Sequence, residues 1–317
     1  MTSPSILVIR GGAIGDFILT LPVLSALREQ FPAARIEVLG YPRIASLALM
    51  GGLVDAVGAI ESRTLATFFA SRATLDPAMQ EFFGRFALII SYLYDPDGIF
   101  QENVRSCSGA QIIAGPHRPD ERGAIHATEC FLQPLERLAI FAFDPTPRLE
   151  VPMIGENSDA IIRAGSGRWL AVHPGSGSEL KNWSQERWRE LLQQIMDHTS
   201  ARILLVGAEA EAGKLDRLAR VLPPDRVRIA DKLPLPALAQ ELKGCAGFVG
   251  HDSGITHLAA AVGVPAVALW GETSERVWAP RATDVRVLRG PQGLSDLRVE
   301  TVFAAVISMI ERSALEK

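Results

Sequence analysis

One aspartate, Asp16, stands where a glycine-rich turn leads from a predicted strand into a predicted helix. The stretch RGGAIGDFILTLP, residues 10–22, directly follows the apolar run at residues 6–9. A carboxylate placed at the end of a buried strand can take a proton from a substrate hydroxyl, which is general-base chemistry. Aspartate is also a common helix N-cap residue, so the position is equally compatible with a structural role.

The glycines of the same turn also invite comparison with a dinucleotide-binding loop. That fingerprint needs glycine at its first, third and sixth positions. If Gly12 and Gly15 take the last two positions, Arg10 occupies the first, and no acidic residue ends the predicted strand at 35–40. Nicotinamide binding is therefore disfavoured, and Gly11, with the other two glycines, is expected to permit a tight strand-to-helix turn.

A second stretch, HPGSGSELKNWS at residues 173–184, has the composition of a phosphate-binding loop. Ser176 and Gly177 belong to a loop rich in hydroxyls and backbone N–H groups, and Lys181 follows within reach. Such a loop can cradle a phosphate whose charge a lysine offsets. The Walker A spacing is absent. A solvated loop with a surface lysine is the alternative.

A third stretch, residues 249–280, predicts a helix whose first turn suits an anion. Asp252 or Ser253 is placed to cap it, and Gly254 and Ile255 open it. The positive end of the helix dipole and the free N–H groups of the first turn favour a pyrophosphate there.

Histidines in the third stretch allow other interpretations. Ser253 and His257 are four residues apart and can share a helix face, but the G-x-S-x-G elbow of serine hydrolases is missing. His251, Asp252 and His257 match no metal-ligand spacing, so no metal site is predicted. His257 as an ordinary packed helix residue is the alternative to a role in a site.

Around these residues, short apolar runs alternate with amphipathic segments, which is the pattern of parallel sheets covered by helices. Pro22 interrupts the first helical stripe and predicts a kink or a late helix start. A segment with three prolines, DPTPRLEVP at 144–152, separates two α/β halves, and ligands are expected in a cleft between them, beyond the carboxyl ends of the strands. The predicted strands are 6–9, 35–40, 87–91, 111–115, 169–172, 202–207, 247–250 and 264–270. The predicted helices are 14–31, 44–50, 184–198, 209–221, 234–243, 254–262 and 299–314.

Composition narrows the function classes. The 317 residues have a formal net charge of −4 with 21% charged residues, which gives no electrostatic footprint for nucleic acid. The three cysteines, Cys107, Cys130 and Cys245, are widely spaced and form no disulfide framework. The amino-terminal apolar run is too short for a signal peptide or a membrane span. A cytoplasmic protein is expected.

Three segments in order resemble the bacterial heptosyltransferases, glycosyltransferase family 9: ILVIRGGAIGDFILTLPVLSALREQFP, HPGSGSELKNWS and GHDSGITHLAAAVGVPAVALWGET. The resemblance implies a GT-B fold, in which two Rossmann-like domains face a central cleft. Residues 1–148 would form the acceptor-binding domain and residues 149–317 the nucleotide-sugar-binding domain. The carboxyl-terminal helix is a candidate to pack back on the first domain.

The resemblance also implies an activity. The family moves a sugar, typically heptose, from an ADP-sugar to a lipopolysaccharide-core acceptor, with inversion, without a metal ion and with no cofactor beyond the donor. Asp16 matches the proposed general base, and Lys181 would offset charge on the departing diphosphate. Peripheral contact with the cytoplasmic face of the inner membrane stays open.

The same resemblance assigns the remaining site residues. Asp252 would hold sugar hydroxyls or orient its loop, His257 would support that loop, and Trp270 and Gly271 would line the pocket of the nucleotide base. On the acceptor side lie Gly11, Gly12 and Gly15. The donor site would comprise Ser176, Gly177, Lys181, Asp252, Ser253, Gly254, Ile255, His257, Trp270 and Gly271.

One departure from the family pattern bears on the donor. Many relatives have proline where this chain has Glu272, which leaves the base and the sugar of the donor open. The acceptor and the oligomeric state are open too. A nucleotide-sugar epimerase and a non-catalytic nucleotide-sugar-binding protein are the alternative functions. Six arginines are candidates for an anionic-acceptor patch, with scattered solvated residues as the alternative: Arg10, Arg43, Arg63, Arg105, Arg118 and Arg122.

Overall fold

The computed structural model describes residues 4–152, 168–178, 181–207 and 213–315. The chain divides into two compact units, Met1–Glu150 and Val151–Lys317. Each unit contains its own parallel β-sheet, so each is described separately.

The first unit is built on a five-stranded sheet in the order β3-β2-β1-β4-β5, with every pair parallel. The central strand β1 is apolar and almost entirely buried because helices cover both faces of such a sheet. The strands are β1 (Ser5–Arg10), β2 (Arg35–Gly40), β3 (Ala56–Ala59), β4 (Leu88–Ser91) and β5 (Gln111–Ala114). The helices are α1 (Ile14–Ile18), α2 (Leu21–Gln30), α3 (Pro42–Met50), α4 (Pro77–Gly84), α5 (Ile99–Cys107) and α6 (Ala127–Leu132).

Pro22 divides the helix predicted over 14–31 into two. The five-residue helix α1 ends at Ile18, and α2 starts at Leu21 with the proline in its first turn. Proline is tolerated there because the first N–H groups of a helix have no intrahelical acceptor. The predicted break is therefore confirmed, and it leaves Asp16 on a short helix of its own.

The second unit is built on a six-stranded parallel sheet in the order β11-β10-β9-β6-β7-β8. The strands are β6 (Trp169–His173), β7 (Arg202–Gly207), β8 (Val227–Asp231), β9 (Gly247–His251), β10 (Ala266–Leu269) and β11 (Val285–Leu288). The helices are α7 (Gln185–His198), α8 (Lys214–Ala219), α9 (Leu235–Lys243), α10 (Gly254–Ala261), α11 (Glu275–Trp278) and α12 (Val299–Leu315).

The core of the second unit joins the sheet to its outer helices. The carboxyl-terminal helix α12 packs against α7, β9 and β10 of its own unit. Its Val302, Val306 and Met309 are buried in the same cluster as Trp188 and Ile195 of α7. Burial of these apolar surfaces is the main stabilising contribution to such a core.

All eight predicted strands are present, with ends that agree within two residues. Three strands that were not predicted, β3, β8 and β11, lie at sheet edges. The described part of the helix predicted at 209–221 forms α8, and residues 209–212 lie outside the described part of the chain. Among the helices described, none is both long enough and apolar enough to cross a membrane.

Candidate functional site

Asp16 is the third residue of α1, directly beyond the carboxyl end of β1. Ala13, not Asp16, is the N-cap residue, and the Ala13 N–H donates to Asp16 Oδ2 over 2.9 Å. This is the reciprocal half of a capping box, in which a side chain at the third position accepts from the N-cap backbone. The Asp16 side chain is still 27% exposed. It therefore stabilises the start of its helix and remains open to solvent.

Arg10 is a buried residue that contacts Asp16. Its side chain is only 3% exposed, and its Nη2 donates to Asp16 O over 3.3 Å and lies 3.6 Å from Asp16 Oδ1. Its Nη1 donates to His117 O over 2.9 Å, and the guanidinium lies over the Phe131 ring at 4.3 Å. Burial lowers the pKa of Arg10 from its ordinary value, and the Asp16 charge opposes that shift. Arg10 is thus a buried support of Asp16, which corrects its inclusion among surface residues for an anionic acceptor.

Gly12 is required beside Asp16. Its φ of +96° lies in the left-handed region, and a Cβ there would come within 2.9 Å of Asp16 Oδ2. Gly11 lies at the end of β1 with more room, since its Cβ would meet Ile60 Cδ1 at 3.8 Å. Gly15 is the second residue of α1. Of the three glycines of the predicted turn, Gly12 is therefore the one in direct contact with the Asp16 carboxylate.

In the second unit, the loop after β6 is ordered by its own hydroxyls. Ser176 Oγ donates to Ser178 O over 2.7 Å, and the Ser178 N–H donates back to Ser176 Oγ over 3.3 Å. Gly177 between them is exposed, with open space where a Cβ would be. The Lys181 N–H donates to Ser178 O over 3.0 Å. This loop therefore presents an exposed backbone next to a lysine.

An ion pair joins the second and third sequence stretches. Lys181 Nζ lies 2.7 Å from Asp252 Oδ2, although the two residues are 71 positions apart. The Lys181 side chain is 39% exposed and that of Asp252 is 10% exposed. Because β6 and β9 are neighbours in a parallel sheet, their carboxyl ends meet at one edge. The structure thus brings together two residues that the sequence assigned separately to the donor site, and the lysine remains accessible.

His251, at the end of β9, connects the third sequence stretch to the second through two hydrogen bonds. It is fully buried, its Nε2 accepts from the Trp183 N–H over 2.7 Å, and its Nδ1 lies 3.3 Å from Gly175 O. These partners require a proton on Nδ1, which then donates to the carbonyl. Both ring nitrogens thus serve the protein backbone, so His251 is a structural residue rather than a metal ligand.

The start of α10 lies at the same edge of the sheet. Ser253 is the N-cap residue, and its Oγ accepts from the Thr256 N–H and lies 3.3 Å from His173 Nδ1. Gly254 opens the helix, whereas Ile255 and His257 are buried. The positive end of the α10 dipole therefore lies beside Asp252, the residue paired with Lys181.

Trp270 and Gly271, which were predicted to line the pocket of the nucleotide base, lie in different surroundings. Trp270 is fully buried, and its Nε1 donates to Thr273 O over 2.8 Å. Gly271 and Glu272 instead line a cavity of the second unit. In the described part of the chain, no group of three His, Cys, Asp or Glu side chains could hold a metal ion.

Residues 154–304 match the model of glycosyltransferase family 9 (heptosyltransferase). The chain is 24% identical over 297 residues to a putative glycosyltransferase of Haemophilus influenzae, covering 87% of this chain and 85% of that one. It is 23% identical over 284 residues to lipopolysaccharide heptosyltransferase 3 of Escherichia coli, covering 84% and 82%.

The chain resembles glycosyltransferase family 9, whose model matches most of the second unit. It is a glycosyltransferase with an α/β fold of two parallel sheets, as in GT-B enzymes. The solved structure of the ADP-heptose lipopolysaccharide heptosyltransferase II of E. coli superposes with a TM-score of 0.77 at 17% identity and covers 98% of this chain and 99% of that one. The predicted resemblance to family 9, the fold class and the enzyme class are confirmed.

Some supporting residues of this glycosyltransferase could not be predicted from the sequence. The burial of Arg10 depends on His117 and Phe131, which lie more than 100 positions away. Its place directly before Gly11 and Gly12 is the signal that it shares their turn. His251 attracts attention in the sequence as a possible ligand, but its two backbone partners are set by the tertiary structure.

Proposed function

We propose that this glycosyltransferase moves a heptose from ADP-heptose to a hydroxyl of a lipopolysaccharide-core acceptor, with inversion and without a metal ion. The observation that carries the proposal is the 2.7 Å pair of Lys181 and Asp252 beside the start of α10. It combines an accessible cation, backbone N–H groups and a helix dipole at the carboxyl edge of one sheet. These are the features that bind phosphates at helix N-termini.

In this proposal the second unit binds the donor. Lys181 offsets the charge that grows on the diphosphate as it leaves, and the N–H groups around Gly254 and Gly177 donate to its oxygens. Ser176 and Ser253 supply hydroxyls to the same group. Asp252 holds Lys181 in place and accepts hydrogen bonds from donor sugar hydroxyls. His257, Trp270 and Ile255 stabilise the loops, and Gly271 lines the neighbouring cavity.

The first unit binds the acceptor and provides the base. Asp16 takes the proton of the acceptor hydroxyl as that oxygen forms a bond to the anomeric carbon. The bond from the anomeric carbon to the diphosphate oxygen breaks at the same time, and ADP leaves with the electron pair. One displacement of this kind inverts the anomeric centre.

The choice of substrates rests on the named relatives. The E. coli relative is a lipopolysaccharide heptosyltransferase, and the superposed E. coli structure is named for ADP-heptose. A cytoplasmic location, with peripheral contact at the inner membrane where such acceptors are assembled, is part of the same proposal.

The test is a transfer assay with purified protein, ADP-heptose and heptose-free lipopolysaccharide-core acceptors, followed by ADP release and product mass. Acceptor-dependent ADP release that persists in EDTA is the expected result. Conversion of the donor sugar without any acceptor would identify an epimerase instead. Tight donor binding with no product from any core acceptor would identify a binding protein.

A further inference from the structure

An aromatic pair, Tyr94 and His117, lies exposed beyond the carboxyl ends of two neighbouring strands of the first sheet. Tyr94 follows β4, and His117 follows β5. The two ring centroids are 4.7 Å apart, and the ring planes are tilted by 59°. Tyr94 is 68% exposed, and His117 is exposed as well. Exposed rings that are grouped in this way, rather than scattered singly, are typical of a binding surface.

The backbone that carries Tyr94 is fixed on both sides of the residue. Two positions before it, the buried Tyr92 donates its hydroxyl to a carbonyl of α6 over 2.6 Å. One position after it, the Asp95 carboxylate accepts from the Phe100 N–H and the Gln101 N–H at the start of α5, over 3.1 Å each. Tyr94 therefore presents its ring from a rigid support, which lowers the entropy cost of binding a ligand.

A single guanidinium connects the aromatic pair to the Asp16 carboxylate. Arg10 Nη1 donates to His117 O over 2.9 Å, and Arg10 Nη2 lies 3.6 Å from Asp16 Oδ1. The backbone of His117 and the carboxylate are thus separated by the width of one side-chain group. A sugar that offers a hydroxyl to Asp16 therefore has its own ring, or the next ring of its chain, within reach of the pair.

The chemistry of the aromatic pair favours a sugar ring over an anion. The face of an aromatic ring is weakly negative and attracts the weakly positive C–H groups on one face of a pyranose. The Tyr94 hydroxyl and the His117 ring nitrogens can also bond to sugar hydroxyls. Arg118, the next residue, is paired with Glu121 at 2.6 Å, so its charge is offset. Because Arg10 is buried, a phosphate or carboxylate would gain little from this surface.

We infer that Tyr94, supported by the His117 ring, packs against a sugar ring of the acceptor and thereby helps to place the reacting hydroxyl at Asp16. The inference rests on the proposed function in one respect, since the proton-accepting role of Asp16 is the reason to expect an acceptor sugar here. Ring stacking then contributes to the selection of the acceptor, for which the sequence offered only arginines as candidates.

Saturation-transfer NMR of the full chain with a deacylated, heptose-free lipopolysaccharide-core oligosaccharide tests the contact directly. The expected result is saturation concentrated on the C–H protons of one sugar face, which is the signature of stacking. Tyr94→Ala should raise the dissociation constant about tenfold, whereas Tyr94→Phe, which keeps the ring, should stay within about twofold of the wild type. Phe141→Ala is the matched control, because Phe141 is 69% exposed and lies after α6, outside the aromatic pair.

A double-mutant cycle tests the supporting role of His117. If the His117 ring acts by holding Tyr94, His117→Ala should weaken oligosaccharide binding about threefold in the wild type and have no further effect in Tyr94→Ala. An equal effect in both backgrounds would overturn this supporting role.

The inference is overturned if the oligosaccharide gives no saturation transfer, or if Tyr94→Ala binds it as well as Phe141→Ala does. Kinetics separate this result from the proposed function. In the transfer assay, Tyr94→Ala should raise the KM of the acceptor and leave the KM of ADP-heptose unchanged. An unchanged acceptor KM would overturn the role of Tyr94 alone. Absence of turnover in the wild type, with oligosaccharide binding that still depends on Tyr94, would overturn only the proposed transfer.

Discussion

Arg10 contacts both the main chain and the side chain of Asp16. Its Nη2 donates to Asp16 O over 3.3 Å and lies 3.6 Å from Asp16 Oδ1. One buried cation therefore sets both the backbone of the short helix α1 and the surroundings of its carboxylate. This relationship allows the structural and chemical roles of Asp16 to be separated by substitution.

Replacing Asp16 by asparagine should abolish transfer and preserve the fold. Asparagine keeps an oxygen that can accept from the Ala13 N–H, but it cannot take a proton from the acceptor. We expect turnover to fall about 10²–10⁴-fold, the usual contribution of a general base. ADP affinity should be unchanged. The measurements are initial rates of ADP release and calorimetric titration.

Asp16→Ala is the companion variant, because it removes the cap as well as the base. It should lose about 0.5–1.5 kcal/mol of unfolding free energy relative to Asp16→Asn. Full turnover in the asparagine variant would exclude Asp16 as the base.

Replacing Lys181 by alanine should weaken ADP binding without unfolding the second unit. A charge-assisted hydrogen bond to phosphate contributes about 1.5–3 kcal/mol, so the dissociation constant should rise about 10–100-fold. Calorimetric titration measures this directly. Lys243→Ala is a control, since Lys243 donates to Val262 O at the far end of α10. Equal ADP affinity in the Lys181 and Lys243 variants would argue against the proposed phosphate site.

Replacing Arg10 by methionine should destabilise the first unit by about 2–4 kcal/mol, because two carbonyls lose their buried donor. Those carbonyls belong to His117 and Asp16. Urea unfolding measures the change, and Arg10→Lys should recover only part of it, since an ammonium lacks the planar fork. Retained stability in the methionine variant would show that Arg10 does not support the turn.

The Asp55 carboxylate should make the stability of the first unit depend on pH. Burial would raise the pKa of Asp55, but hydrogen bonds from Arg28 and the Ile36 N–H, with the Arg28 charge, hold it below the ordinary value. A lowered pKa in the folded state means that the carboxylate stabilises the fold fully above about pH 4 and loses this effect as the pH falls further.

Between pH 5 and pH 3, the free energy of unfolding measured in urea should therefore fall more for the wild type than for Asp55→Asn. The exposed Asp97→Asn variant should behave like the wild type. Parallel pH profiles for wild type and Asp55→Asn would contradict the assignment.

Much of the fold can be predicted because central parallel strands are buried on both faces. β4 and β10 are entirely buried four-residue strands, and their apolar runs are visible in the sequence. The edge strands β3, β8 and β11 are partly exposed and mix apolar with polar or small residues. Pattern alone does not distinguish them from loops, since a partly exposed strand has no continuous apolar run.

The candidate site likewise has parts that the sequence predicts and parts that it does not. The turn around Asp16 and the loop before Lys181 are local, and glycine and hydroxyl composition indicates them. Tertiary packing brings together the partners that form the rest of the site. These are the contacts of Arg10, the hydrogen bonds of His251 and the cavity that Asn182 lines with Gly271 and Glu272. Trp270 illustrates the difference, because its position in the third stretch does not reveal that its ring is fully buried.

The two edges of the second sheet also bear on how copies of this enzyme meet. β8 and β11 both begin with valine followed by an exposed arginine, Arg228 and Arg286. A charged side chain in a short edge strand hinders another chain from pairing with its open backbone groups. The sheet thus carries its own protection against strand-by-strand aggregation at the two edges that no further strand of the described residues covers.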